Sequence, residues 1–133
     1  MSAVLQLLLG TGICAICAVV QLLLVAKGLR RIDAAAPDKR MGLTVSAVLI
    51  ILIGHLAQIG LWTLAFLPTG GFGSLEEALY FSIASYTTLG YGDVLIAPEV
   101  RLLGALPAVA GLIAFGISTA FLFGAMSELL RDR

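Results

Sequence analysis

Three apolar runs, at roughly residues 3–26, 42–67 and 100–126, constrain this chain more than any other feature. Crossing the hydrocarbon of a bilayer as helix takes about 20 apolar residues, and each run meets that length. Of the 133 residues, 60% are apolar and only 12% charged, too little polar surface to cover a soluble domain. The fold class expected is therefore an all-α membrane protein with three transmembrane helices, with the lipid bilayer as its surroundings. Formal charge sums to zero, and no basic cluster of the nucleic-acid type is present. Neither a nucleic acid nor a soluble substrate is expected as a partner.

Between the second and third runs lies a shorter apolar piece, residues 75–86, too short to span and so expected to enter and leave by the same side. Ser74 and Glu77 have the spacing of a capping box at its start. Its C-terminus, the negative end of the helix dipole, points at Thr87, Thr88, Leu89, Gly90, Tyr91, Gly92 and Asp93. In that run two glycines alternate with bulkier residues, a pattern that aims consecutive backbone carbonyls along one line. Such a line can replace the water around a bare cation.

Charge placement predicts orientation. Lys27, Arg30, Arg31, Lys39 and Arg40 crowd between the first two runs, and short basic loops stay cytoplasmic. The N-terminus is then outside and the C-terminus, with Arg131 and Arg133, is cytoplasmic, in a plasma membrane of the bacterial inner-membrane kind. A cleaved signal peptide is disfavoured, because the first run is too long and its basic residues follow it. No periodic arginines of a voltage sensor are present in the first two runs. Cys14 and Cys17 form a CxxC pair, but within an apolar run they read as small packing residues rather than a metal or redox site.

The Thr87 to Asp93 run resembles the selectivity filter of potassium channels, and residues 71–133 resemble the pore module of small prokaryotic members of that family. The resemblance implies that the Thr88 hydroxyl and the carbonyls of Thr88, Leu89, Gly90 and Tyr91 hold K+ ions. Thr87, Gly92, Asp93 and Tyr80 would support that filter, with the Tyr91 ring packed outward against the pore helix. It also implies a homotetramer, since one chain supplies one loop and four surround an ion. The chain then divides into an extra N-terminal helix with a basic linker (1–40) and a pore domain (41–133). The latter comprises an outer helix (42–67), a pore helix (74–86), the filter (87–93) and an inner helix (100–127).

Three departures from the family pattern are visible. Ala84 stands where many relatives carry a glutamate behind the filter, Tyr80 stands where tryptophan is frequent, and Leu89 replaces the usual valine. Asp93 is accordingly expected to take a hydrogen bond from Tyr80. The extra first helix is expected to brace the second, with Gln6, Gly10, Cys17 and Gln21 on one face and Ser46, His55 and Gln58 as polar partners. His55, the only histidine, is read as a packing residue paired with Gln58 or a glutamine of the first helix, with proton sensing as the alternative.

In the last run Leu112, Phe115, Thr119 and Phe123 share a face by helical period. The resemblance places that face in the cavity below the filter, with Phe123 as a hydrophobic gate or a lipid-facing residue. Gly111 and Gly116 fall where relatives have hinge glycines, and Pro107 is expected to kink the helix. The function implied is passive, potassium-selective conduction. A modulatory subunit that does not conduct alone, and a non-selective cation channel, are the alternatives. No nucleophile, acid–base dyad or metal cluster suggests an enzyme; Glu76, Glu77, Asp93 and Glu99 are better suited to attracting cations or capping helices.

Overall fold

A computed structural model describes residues 1–131; Arg133, expected on the cytoplasmic side, lies outside the described residues. Four helices follow one another: α1 (Ala3–Asp33), α2 (Pro37–Phe66), α3 (Leu75–Tyr86) and α4 (Arg101–Arg131). Single 3₁₀ turns, Leu67–Thr69 and Pro98–Val100, lead out of α2 and into α4. By length and composition α1, α2 and α4 are each able to cross a membrane.

Helix ends extend beyond the apolar runs. α1 continues to Asp33 and carries Lys27, Arg30 and Arg31 as helical residues, leaving only residues 34–36 as a connection. α2 then starts at Pro37, so the boundary expected between residues 40 and 41 falls inside a helix. The reason is local: leucine, lysine and arginine are good helix formers, and proline suits the first helical position. Hydropathy marks the stretch that can sit in lipid, whereas propensity decides where a helix stops.

At the start of α3, Ser74 Oγ accepts from the Glu77 N–H at 3.1 Å. Glu77 Oε2 reaches back to the Gly73 N–H at 2.9 Å, one residue earlier than the usual reciprocal bond. Two orphan donors are satisfied, and the 12-residue helix has a length of about 18 Å, short of the roughly 30 Å of bilayer hydrocarbon.

α1 packs chiefly on α4 and less on α2, which corrects the expectation of a brace lying on the second helix. Gln6, buried on α1, caps α4: its Oε1 accepts from the Leu103 N–H at 3.2 Å and its Nε2 donates to the Glu99 carbonyl at 2.8 Å. The Leu103 N–H is one of the donors a helix start leaves without an internal partner. One turn further along, the Cys14 thiol donates to the Leu106 carbonyl at 3.4 Å. Gly10 sits so close to Leu106 that a Cβ there would collide with it. α1 and α4 therefore run parallel, with α2 antiparallel to both.

Lipid tails are as apolar as leucine, so close packing and interhelical hydrogen bonds, rather than apolar burial, hold membrane helices together. The composition of the interior fits this. Leu8, Ile53 and Leu64 are exposed, whereas Gln6, Gln21, Cys17, His55, Gln58 and Ser118 are buried. One core holds Cys17, Trp62, Phe66, Tyr86 and Ala114; the other holds Val25, Ile32, Ala47 and Phe121. Beyond the second core, Arg40 and Glu128 form an ion pair at 3.1 Å that ties the start of α2 to the end of α4.

Candidate ion-conducting site

Thr87 closes α3 and its N–H donates to the Ile83 carbonyl at 3.0 Å. In the loop that follows, left-handed φ values recur at every second residue: +58° at Thr88, +54° at Gly90 and +76° at Gly92. Alternating handedness turns successive peptide planes so that like groups fall on one side. For threonine the left-handed region costs about 1–2 kcal/mol, while at the two glycines it is free of steric penalty. The Thr88 N–H donates to Ser85 and the Gly90 N–H to Ala84, at 3.0 and 3.2 Å, which pins the loop to the end of α3. Among the described residues, the carbonyls of 88–91 accept no hydrogen bond.

Every residue from Thr87 to Asp93 is exposed in the single chain. Tyr91 is 73% exposed in the single chain. Leu89 is exposed as well. At the outer end the expected bond is present: the Tyr80 hydroxyl donates to Asp93 Oδ2 at 2.7 Å. That bond holds the Asp93 carboxyl below its ordinary range and lifts the Tyr80 phenol above its own. Tyr80 and Asp93 also line an open groove of about 420 Å³ with Ser74, Glu76, Glu77 and Val94. Three carboxylates, of Glu76, Glu77 and Asp93, thus line the groove beside the loop.

Behind the loop, five side chains from all four helices form a buried polar cluster. The Tyr86 hydroxyl donates to Gln58 Oε1 at 2.9 Å, and Gln58 Nε2 donates to Gln21 Oε1 at 2.8 Å. Gln21 Nε2 donates to Ser118 Oγ at 2.7 Å. His55 completes the ring, with Nδ1 2.9 Å from the Tyr86 hydroxyl and Nε2 3.0 Å from Ser118 Oγ. Because Tyr86 spends its one proton on Gln58, His55 Nδ1 is the donor in their contact and Nε2 is left to accept. Ser118 gives its own proton to the Ala114 carbonyl at 2.8 Å, so the donor facing that acceptor is the second N–H of the Gln21 amide, at 3.4 Å. Donors and acceptors thus match with the imidazole neutral, and the cluster contains no carboxylate to offset a charge.

Sequence reasoning assigned Gln21, His55 and Gln58 to this interior but missed Tyr86 and Ser118. Tyr86 immediately precedes Thr87, and a tyrosine at the end of an apolar helix must place its hydroxyl somewhere; that was the available signal. Ser46, expected as a polar partner between helices, instead is exposed and donates to the Gly42 carbonyl of its own helix at 2.9 Å.

The sequence profile of the ion channel family matches residues 43–128, nearly all of α2, α3, the loop and α4. The chain belongs to the ion channel family. A Rhodopseudomonas palustris protein named "Putative potassium channel protein" is similar as well, at 30% identity over 63 residues. That stretch is 47% of this chain and 15% of the relative, so the chain spans a small part of the relative's length. No solved structure matches. Both similarities agree with the potassium-channel resemblance carried by residues 87–93, and α1 lies outside the family match.

In this channel chain the predicted inner-helix face is exposed: Leu112 at 62%, Phe115 at 40% and Phe123 at 77%, with Thr119 also exposed. Phe115 stacks on His55 with centroids 4.7 Å apart and meets Tyr86 edge-on, which brings the polar cluster next to that face. Gly111 lies against the backbone of Tyr86, where a Cβ would overlap the carbonyl oxygen. Close approach alone thus requires glycine at 111, whereas Gly116 has open space around it. α4 continues through Pro107.

Proposed function

We propose that four copies of the chain form a potassium-selective channel, with residues 87–93 of each contributing one wall of a central filter. One observation carries the reading. Carbonyls freed by the alternating backbone of Thr88 to Gly92 are left exposed and without internal partners, a condition that non-helical backbone at membrane depth tolerates only when it lines a water- or ion-filled path. Four such loops around an axis supply carbonyl cages for K+, the transported ion, from Thr88, Leu89, Gly90 and Tyr91. Tyr91, exposed in a single chain, then packs on a neighbouring copy.

In this reading α3 is re-entrant, α2 is the outer helix and α4 the inner helix, with Leu112, Phe115, Thr119 and Phe123 facing the cavity. The basic ends of α1 and α2 face the cytoplasm. The R. palustris relative, named "Putative potassium channel protein", supports the choice of ion. Dehydrating K+ at the mouth is offset by the carbonyls, and passage is driven by the ion's own gradient, with no chemical step.

The deciding experiment is reconstitution of the purified chain alone in vesicles with a K+ gradient. Barium-blocked K+ flux with little Na+ flux is expected. Equal flux of the two ions makes it a non-selective cation channel, and no flux from a correctly folded chain makes it a modulatory subunit.

A further inference from the structure

A second binding site lies at the opposite end of the helices from the loop. We propose that the groove between the ends of α1 and α2 binds one anionic phospholipid. The groove has a volume of about 130 Å³ and is lined by Leu24, Lys27, Gly28 and Arg31 of α1 and Leu43, Ser46, Ala47 and Ile50 of α2. Its composition is divided. Glycine, alanine and serine contribute small side chains, leucine and isoleucine apolar ones, and the two cations stand where the apolar run of α1 stops.

Lys27 and Arg31 are four residues apart and so lie on one helix face, one turn from each other. Both are exposed, and among the described residues neither forms an ion pair. No acidic residue lines the groove. An arginine fork and a lysine ammonium one turn apart suit a phosphodiester, the first bidentately and the second as a point charge. Side chains of this kind can lay their apolar stems along a helix and carry the charge to the headgroup level. The apolar walls of Leu24, Leu43 and Ile50 continue toward the membrane interior, where an acyl chain of the same lipid extends. Basic pockets between membrane helices bind acidic headgroups on this principle. The proposal rests on the chain crossing a bilayer and not on which ion it conducts.

The test uses the full chain in neutral detergent, with thermal stability read during titration of short-chain phosphatidylglycerol. Short-chain phosphatidylcholine and inorganic phosphate are parallel arms. Saturable stabilisation by phosphatidylglycerol alone is expected. Lys27→Gln combined with Arg31→Gln should weaken it roughly tenfold or more, at about fivefold per cation near a membrane surface. Ser46→Leu, which fills the groove from an exposed position, should also weaken it, and Lys39→Gln, outside the groove, should not. Stabilisation by phosphate alone would make this a free-anion site and overturn the lipid assignment. Equal stabilisation by phosphatidylcholine, an equal loss in Lys39→Gln, or no loss in both groove variants would overturn it too. Because the readout is stability, its outcome is independent of whether K+ flux is found.

Discussion

The Tyr86 hydroxyl donates to Gln58 Oε1 at 2.9 Å while accepting from the His55 imidazole, also at 2.9 Å. Tyr86 is fully buried and is the last residue of α3, so the backbone entering the loop at Thr87 is held by α2. Through Gln21 and Ser118 the same cluster reaches α1 and α4. Interhelical hydrogen bonds in membranes average about 0.6 kcal/mol each. The cluster therefore does more to fix where α3 ends than to supply stability.

Tyr86→Phe keeps the ring and removes both bonds, leaving Gln58 Oε1 and His55 Nδ1 buried without partners. A loss of about 1–2 kcal/mol is expected, seen as a lower melting temperature in detergent. In flux assays the selectivity between K+ and Na+ should fall more than in Ser127→Ala, a change to an exposed residue whose hydroxyl bonds only its own helix. Equal selectivity in the two variants would show that the loop does not depend on the cluster.

Glycines 111 and 116 should part company. Gly111→Ala drives a methyl into the Tyr86 carbonyl, a backbone atom that cannot step aside, so loss of folded, assembled protein on size-exclusion chromatography is expected. Gly116→Ala meets no atom within 4 Å and gains about 1 kcal/mol of helix propensity, so normal yield is expected. Comparable yields from both would contradict the close approach of α4 to α3.

The Tyr80–Asp93 bond sets a pH window. Asp93, with its carboxyl held below its ordinary 3.8 by the Tyr80 hydroxyl, contributes order to the loop above that value and loses it as pH falls through the lower folded value. Tyr80, raised above 10.0 by its bond to Asp93, contributes below that value and loses it as pH rises through the higher one. Between about pH 5 and 9 the bond should be constant. Tyr80→Phe should return the Asp93 carboxyl toward its ordinary value in an NMR titration and change slow inactivation; an unmoved titration would exclude the contact.

Phe123, 77% exposed on α4, closes the proposed pore by dewetting if four copies meet on the axis. Phe123→Ala is then expected to raise resting K+ flux severalfold in vesicles, and flux equal to the unmodified chain would place the side chain in lipid.

The three long helices, the capped short helix and the left-handed backbone at Gly90 and Gly92 were all readable from the chain, because each depends on neighbours a few residues away. The Tyr80–Asp93 bond was expected from the resemblance, because Tyr80 stands where relatives often carry tryptophan, and the structure forms it. Not readable was what α1 leans on. Gln6 caps the start of α4, and Gln21 and His55 meet at Ser118, across separations of 63 to 97 residues. Helical period shows which residues share a face but not which neighbouring helix that face meets; only tertiary packing, through the close approaches at Gly10 and Gly111, decided that.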